Sequence, residues 1–242
     1  MPSLLARRRS HAAVDGVQPV ASETLLSLPI ALRAGDIIRG IGYPPGVAAP
    51  QQVRRSVEQA LVEGRKWLAP RGSYALYEVA GRTERSLRIG GATINGNIGD
   101  YLHGARRAAV FMVTAGAEIT RRAALACQRG DAFAGLALDA IGSWAAEAAA
   151  VALLDRLARH LRPSESFTLR YSPGYCGMDL SEQTTLFQLA PAADAGITLL
   201  PSLLMQPLKS VSGIVGLGRK AVVGTHLSPC ERCPQAGCHM RR

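Results

Sequence analysis

Three groups of residues in this chain have the types and spacing to support chemistry. The first is the stretch RYSPGYCGMDLSEQ, Arg170 to Gln183, with an arginine, a sharp turn, a tyrosine and a cysteine within seven positions. In Ser172-Pro173-Gly174 the proline holds the first central position of a turn and the glycine the second, as a type II turn requires, and Ser172 before proline must stay extended. An arginine ending a strand beside such a turn can hold a carboxylate through two N–H groups while backbone groups of the turn meet the rest of the ligand, and Tyr175 adds a ring face and a hydroxyl. The same residues also make an ordinary strand end with an ion-paired arginine and a packed tyrosine. Cys176, without a partner at metal spacing, reads as a packing residue.

The second group is Asp139, Ser143 and Glu147, spaced four apart in an apolar, alanine-rich stretch. On a helix they share one slowly rotating face. Such a line is either a solvated stripe or a pair of carboxylates placed to accept hydrogen bonds from an amino group or ribose hydroxyls. The third group is the tail CERCPQAGCHMRR, with Cys230, Cys233 and Cys238 in a CxxC-x4-C arrangement and His239 following. Thiolates two residues apart bracket a soft metal, so zinc or an iron–sulfur cluster fits. Three cysteines leave the set one ligand short, to be completed by His239, an exogenous group or another chain, and thiol redox chemistry or an unstructured tail are the alternatives. The run GIVGLG, Gly213 to Gly218, departs from the GxGxxG fingerprint, and its glycines are expected to serve a turn.

These groups need a scaffold, and the composition provides for one. With 242 residues, 48% of them hydrophobic, the chain can bury a sizeable core. Aromatics are only 5%, so the packing must come from small residues on closely approaching helices. The net charge of +10 is concentrated at the ends: Arg7, Arg8 and Arg9 give +3 within the first ten residues, and Arg219 to Arg242 holds five basic residues against Glu231, leaving +3 for the body. No basic stripe interleaves with aromatics, which argues against nucleic acid as a partner. The start of the chain has no apolar run like that of a signal peptide, and Asp139, Ser143 and Glu147 disqualify the longest apolar region as a membrane span. No membrane association and a cytoplasmic location are expected.

Along the chain, residues 1–24 read as a flexible N-terminal arm, 25–218 as the folded domain and 219–242 as a basic, cysteine-rich tail. Within Leu25 to Gly46 the alternating apolar residues predict a short strand closed by the proline-directed turn GYPPG, and Val53, Val57, Leu61 and Val62 predict a helix from Pro50 that stops before Pro70. SYALYEVAG and AAVFMVTAG read as strands, the latter buried. A helix ending at Gly130 precedes a longer one capped by Asp131 and running to about Leu161. A strand at Ser166 to Tyr171, a helix from Ser181, and strands or loops to Gly218 complete the order. This mixture predicts an α+β fold with a mixed or antiparallel sheet and flanking helices.

RYSPGY at Arg170 to Tyr175, MQPLKSVSG at Met205 to Gly213 and LDAIGS at Leu138 to Ser143 together resemble the activation domain of cobalamin-dependent methionine synthase, over about Leu28 to Gly218. That resemblance implies an S-adenosylmethionine pocket in which Arg170 pairs with the methionyl carboxylate, Ser172 and Gly174 offer backbone contacts, Tyr175 stands near the sulfonium and Glu147 meets the amino group. It implies a role in reductive remethylation of oxidised cobalamin. No DxHxxG cobalamin-binding segment occurs in the chain, so the cobalamin is expected on a partner chain, methionine synthase or another corrinoid methyltransferase, with an electron donor such as a flavodoxin-like protein. After Gly213 the family's tyrosine-bearing continuation is replaced by IVGLGRKAVVG and the cysteine tail. A reading of a different class makes the chain a metal-binding interaction module with a vestigial pocket.

Overall fold

The structure, a computed structural model, describes residues 6–7 and 16–223 apart from 45 and 176. In chain order its elements are β1 (Ala6–Arg7), β2 (Ala21–Leu25), α1 (Ala34–Gly40), α2 (Gln51–Arg65), β3 (Arg71–Arg82), β4 (Ser86–Ile89), β5 (Ala92–Asn95), α3 (Ile98–Tyr101), β6 (Ala105–Thr114), α4 (Glu118–Gln128), α5 (Ala132–Leu157), β7 (Glu165–Phe167), α6 (Glu182–Leu189), β8 (Thr198–Leu199), β9 (Met205–Gln206), β10 (Ser210–Arg219) and α7 (Lys220–Val223). The main sheet runs β1-β2-β3-β6-β10-β7, with the β4–β5 hairpin joined to the end of β3. All of these pairings are antiparallel, so the α+β architecture is as expected.

Both faces of the sheet are buried, and the period of two along its long strands sorts the side chains. Tyr74, Leu76, Phe111, Val113, Val215 and Leu217 face the C-terminal half of α5 and meet Ala149, Ala150, Leu153 and Leu157. Ala75, Tyr77, Val110, Met112 and Ile214 face the other way, onto Leu186 and Leu189 of α6 and Ile89 and Ile94 of the hairpin. The N-terminal half of α5 packs its small residues against α1, α2 and α4. Asp131 caps α5 as expected, its carboxylate accepting from the Ala134 N–H at 2.9 Å. Among the described residues one helical run, Ala132–His160, is long and apolar enough to cross a membrane, but 56% of its apolar window is buried inside the protein. Its apolarity serves the core.

Two expectations need correction. The strand at this point is Ala21–Leu25, and the stretch expected to be a strand before the Gly42 turn instead holds the helix α1, Ala34–Gly40. Glu23 and Thr24 are buried in this strand, which hides it from a hydrophobic pattern. Gly213, Gly216 and Gly218 do not serve a turn, because they lie inside β10. A Cβ on Gly216 would come within 2.6 Å of the Ala105 Cβ, and one on Gly218 within 2.4 Å of the Gly104 carbonyl oxygen. These glycines let neighbouring backbone approach closely. The β4–β5 hairpin was not anticipated, although Gly90-Gly91, with φ of 57° and 81°, is the two-residue turn its register calls for.

Glu23 anchors a polar network between the sheet and the end of α5. Its carboxylate accepts from Arg156 at 3.0 Å, Arg159 at 2.6 Å and the Tyr74 hydroxyl at 3.1 Å, and that hydroxyl lies 2.9 Å from the His160 Nε2. Burial pushes the Glu23 carboxyl up, but hydrogen bonds from Arg156 and Tyr74 and the charges of both arginines outweigh it and hold the group below its usual value. Burial, then the adjacent Arg159, lowers the His160 pKa, while burial and the Glu23 charge push the Tyr74 hydroxyl up to about 12.

Both the carboxylate and the imidazole have depressed folded-state values, so each contributes stability above its unfolded pKa that is lost as pH falls through the folded one. The urea midpoint should decline in two stages, beginning below pH 6.5 for His160 and below 4.5 for Glu23. His160→Gln should flatten the first stage and Glu23→Gln should reduce the second, to which the depressed Glu165 carboxyl also contributes. Glu23→Ala should cost about 2 kcal/mol, because it leaves the Tyr74 hydroxyl and two arginines short of an acceptor.

Candidate functional site

The site is set by how the segment after β7 lies along the outer edge of β10. Tyr171 and Ile214 exchange both backbone hydrogen bonds, at 2.9 and 2.8 Å. The Tyr171 ring turns into the core and stacks on Tyr101 with centroids 4.4 Å apart and planes 13° from parallel. Its neighbours Arg170 and Ser172 therefore project from the opposite face. Gly213 makes room there, since a Cβ on it would stand 2.9 Å from the Phe111 ring and 3.0 Å from the Ser172 Oγ. The Ser172 hydroxyl donates to the Ser212 carbonyl at 2.8 Å.

Ser172-Pro173-Gly174-Tyr175 then forms the expected turn. The Tyr175 N–H donates to the Ser172 carbonyl at 3.2 Å, and Gly174 has φ of 85°, the left-handed value a type II turn needs at its second central position. A second loop closes behind it, with the Gly174 N–H donating to Met178 and the Met178 N–H to Tyr175, both at 2.9 Å. Tyr175 is left 57% exposed.

Arg170 reaches α5. Its guanidinium donates to the Glu147 carboxylate at 2.7 Å, with the two side chains 31% and 44% exposed. The polar line on α5 is thus matched by cations from the β layer. Toward the start of α5 the Lys209 ammonium lies 2.7 Å from the Asp139 carboxylate, two turns before Glu147, and donates at 2.9 Å to the Ser143 hydroxyl, one turn before it. That hydroxyl donates to the Asp139 carbonyl. Gly142 gives the lysine stem its path across the helix, because a Cβ there would stand 2.9 Å from the Lys209 Cγ. Sequence reasoning gave Lys209 no role, though it lies inside the MQPLKSVSG motif. The signal available was a lone lysine within that motif together with an acidic line on an apolar helix.

The structure thus joins Arg170 to Glu147, and Ser172, Gly174 and Tyr175 follow Arg170 in the turn beside β10. The stripe of Asp139, Ser143 and Glu147 is neither a bare solvated edge nor a pair of free carboxylates. Two concavities elsewhere, of about 430 Å³ beside Tyr77 and Arg88 and about 420 Å³ beside Glu84 and Asp100, include none of these residues. Among the described residues no three His, Cys, Asp or Glu side chains group as metal ligands. Cys176, Cys230, Cys233, Cys238 and His239 lie outside the described residues.

A search of curated proteins gives no significant match. The fold is similar to that of the MetH reactivation domain, in a crystal structure with AdoHcy bound, at a TM-score of 0.58 and 18% identity, over 86% of this chain and 81% of that one. The family model described as "Vitamin B12 dependent methionine synthase, activation domain" matches residues 94–222, a span containing Asp139, Glu147, the Arg170–Tyr175 turn, Lys209 and β10. By that match over more than half its length, the chain belongs to the family of vitamin B12 dependent methionine synthase activation domains.

Proposed function

We propose that this activation domain binds S-adenosylmethionine at the Arg170–Tyr175 turn and supports reductive remethylation of a cobalamin carried by a separate methionine synthase chain, with a flavodoxin-like protein as the electron donor. The observation that carries the reading is the Arg170–Glu147 pair, 2.7 Å apart and open to solvent. One cation and one anion side by side are the complement of an amino-acid zwitterion. A ligand carboxylate can take the place of Glu147 on the guanidinium while the ligand ammonium takes the place of Arg170 on the carboxylate, so no charge is left unpaired. The AdoHcy in the MetH reactivation domain, a protein of the same fold, supports a ligand of this class.

The other residues follow from the turn. The Gly174 N–H is committed to Met178, so Gly174 offers its carbonyl, and Ser172 is held against β10 by its own hydroxyl. Exposed Tyr175 can lay its ring beside the sulfonium, an attraction worth about 0.5–1 kcal/mol at an open site. When bound, S-adenosylmethionine supplies an electrophilic methyl group for reduced cobalt, leaving S-adenosylhomocysteine. The chain's contribution is to hold the amino-acid end fixed so that the sulfonium faces outward to the partner.

Calorimetry with S-adenosylmethionine tests this reading. Arg170→Ala should weaken binding about 10- to 100-fold by removing a charge-assisted contact, and Glu147→Gln should weaken it less. Failure of the folded wild type to bind would overturn the reading, whereas unchanged binding by Arg170→Ala would move the carboxylate contact elsewhere. Adding the protein to an oxidised corrinoid methionine synthase with a reductant should restore turnover only when S-adenosylmethionine is present.

We also propose that Cys230, Cys233 and Cys238, with His239 beside them, hold zinc or an iron–sulfur cluster; the CxxC-x4-C spacing supports this. Purified protein should contain about one zinc, or be brown with visible absorbance from a cluster, and Cys233→Ser should lose that metal. Metal-free protein after anaerobic purification would overturn it.

A further inference from the structure

The geometry points to Gln183 as the positioning residue of the Arg170–Tyr175 turn, a role whose functional part rests on that turn being the S-adenosylmethionine site. Gln183 lies in the first turn of α6 and is only 4% exposed. Both ends of its amide are used. The Nε2 donates to the Leu203 carbonyl at 3.0 Å, and the Oε1 accepts from the Ser212 hydroxyl at 3.2 Å. The Ser212 carbonyl in turn accepts from the Ser172 hydroxyl at 2.8 Å. Three side-chain hydrogen bonds thus run in one direction, from the turn through β10 and α6 to the loop between β8 and β9.

The direction is forced. A backbone carbonyl only accepts, so Leu203 requires the NH₂ end of the Gln183 amide, and the amide oxygen must then face Ser212. That commits the Ser212 hydroxyl as donor. The far end of the chain of bonds is itself unusual, because Leu203 has φ of 65°, a left-handed conformation that costs a leucine roughly 1–2 kcal/mol. It is held there by its N–H to the Leu200 carbonyl and by the bond between Leu200 and Leu204, both at 2.9 Å, and its carbonyl is thereby presented to Gln183. A residue needed only to fill space between α6 and β10 would not need an amide. Leucine or methionine would fill the same volume without a polar group to satisfy.

Two substitutions separate positioning from filling. Gln183→Met keeps the volume and leaves the Leu203 carbonyl and the Ser212 hydroxyl without their partner. Gln183→Glu replaces the donor with a carboxylate that faces the Leu203 carbonyl at neutral pH and can donate to it only when protonated. In ligand-free protein at pH 7, amide exchange across residues 171–178 should quicken about tenfold in both variants, and S-adenosylmethionine affinity should fall about tenfold. As pH falls toward 5, Gln183→Glu should recover protection and affinity relative to wild type, a reversal that simple loss of packing does not produce. Should Gln183→Met fail to fold, Ser212→Ala, which removes one hydroxyl and keeps the Gln183–Leu203 bond, should show the same exchange change at about threefold.

Unaltered exchange at 171–178 in a folded Gln183→Met or Ser212→Ala protein overturns the positioning role whatever the ligand. Faster exchange together with a wild type that does not bind S-adenosylmethionine sustains the positioning role and sinks the ligand assignment instead. Faster exchange with undiminished affinity in the variants overturns the link between them.

Discussion

The rest of the site depends on the register between Tyr171 and Ile214. Two backbone hydrogen bonds fix it, and Tyr171 stacked on Tyr101 locks it from inside the core. Since side chains alternate, a slip of one residue would turn Arg170 into the apolar layer and send the tyrosine ring to the surface. The cost of burying an unpaired guanidinium far exceeds that of any single contact at the surface, so the register is strongly held. Gly213 is the other half of the constraint. Any side chain there would meet Phe111 and Ser172, and the segment bearing Arg170 would have to move off β10.

α5 has to be a core helix and a wall of the site at once. Its buried residues are mostly alanine and glycine, which bring its axis close to the sheet and to α4. Its polar line is met by two cations that come from segments far away in sequence, Lys209 and Arg170. Both pairs are partly open to water, so neither adds much to stability. Their effect is positional: Lys209 ties the entry of β10 to Asp139 and Ser143, within two turns of where Arg170 meets Glu147. The LDAIGS and MQPLKSVSG stretches, separated by more than sixty residues, are the two halves of one clamp.

What could be read from the sequence follows from what is local. The long elements β3, β6, α2, α4 and α5 carry their own periodicity, the Asp131 cap is a one-residue signal, and the Ser172-Pro173-Gly174 turn is dictated by proline and glycine. β2 was misplaced because its stabilising residue is Glu23, whose burial makes sense only once Arg156 and Arg159 arrive from the end of α5. The glycines of β10 looked like turn residues because their neighbours across the sheet, Ala105 and Gly104, are invisible in one dimension. Arg170 and Glu147 could each be suspected from the motifs, but their contact crosses 23 residues and was visible only in the fold. Gln183 carried no signal, since a glutamine in a helix is ordinarily a surface residue.

The openness of the site sets a limit on what this surface does alone. Glu147 and Arg170 are about a third to nearly half exposed and Tyr175 more than half, so water reaches all three. Such a surface can orient a ligand through directed charge and backbone contacts, yet it cannot strip the ligand of water, and methyl transfer between two large groups gains from both. Rigid placement is therefore what this fold supplies: a type II turn pinned to a central strand, a guanidinium aimed by register, and an acidic residue on a helix that cannot move without opening the core. On the proposed reading, a second surface closes over the ligand. That division explains why the most tightly determined features here are backbone positions, with few of the enclosing side chains that a self-sufficient active site would need.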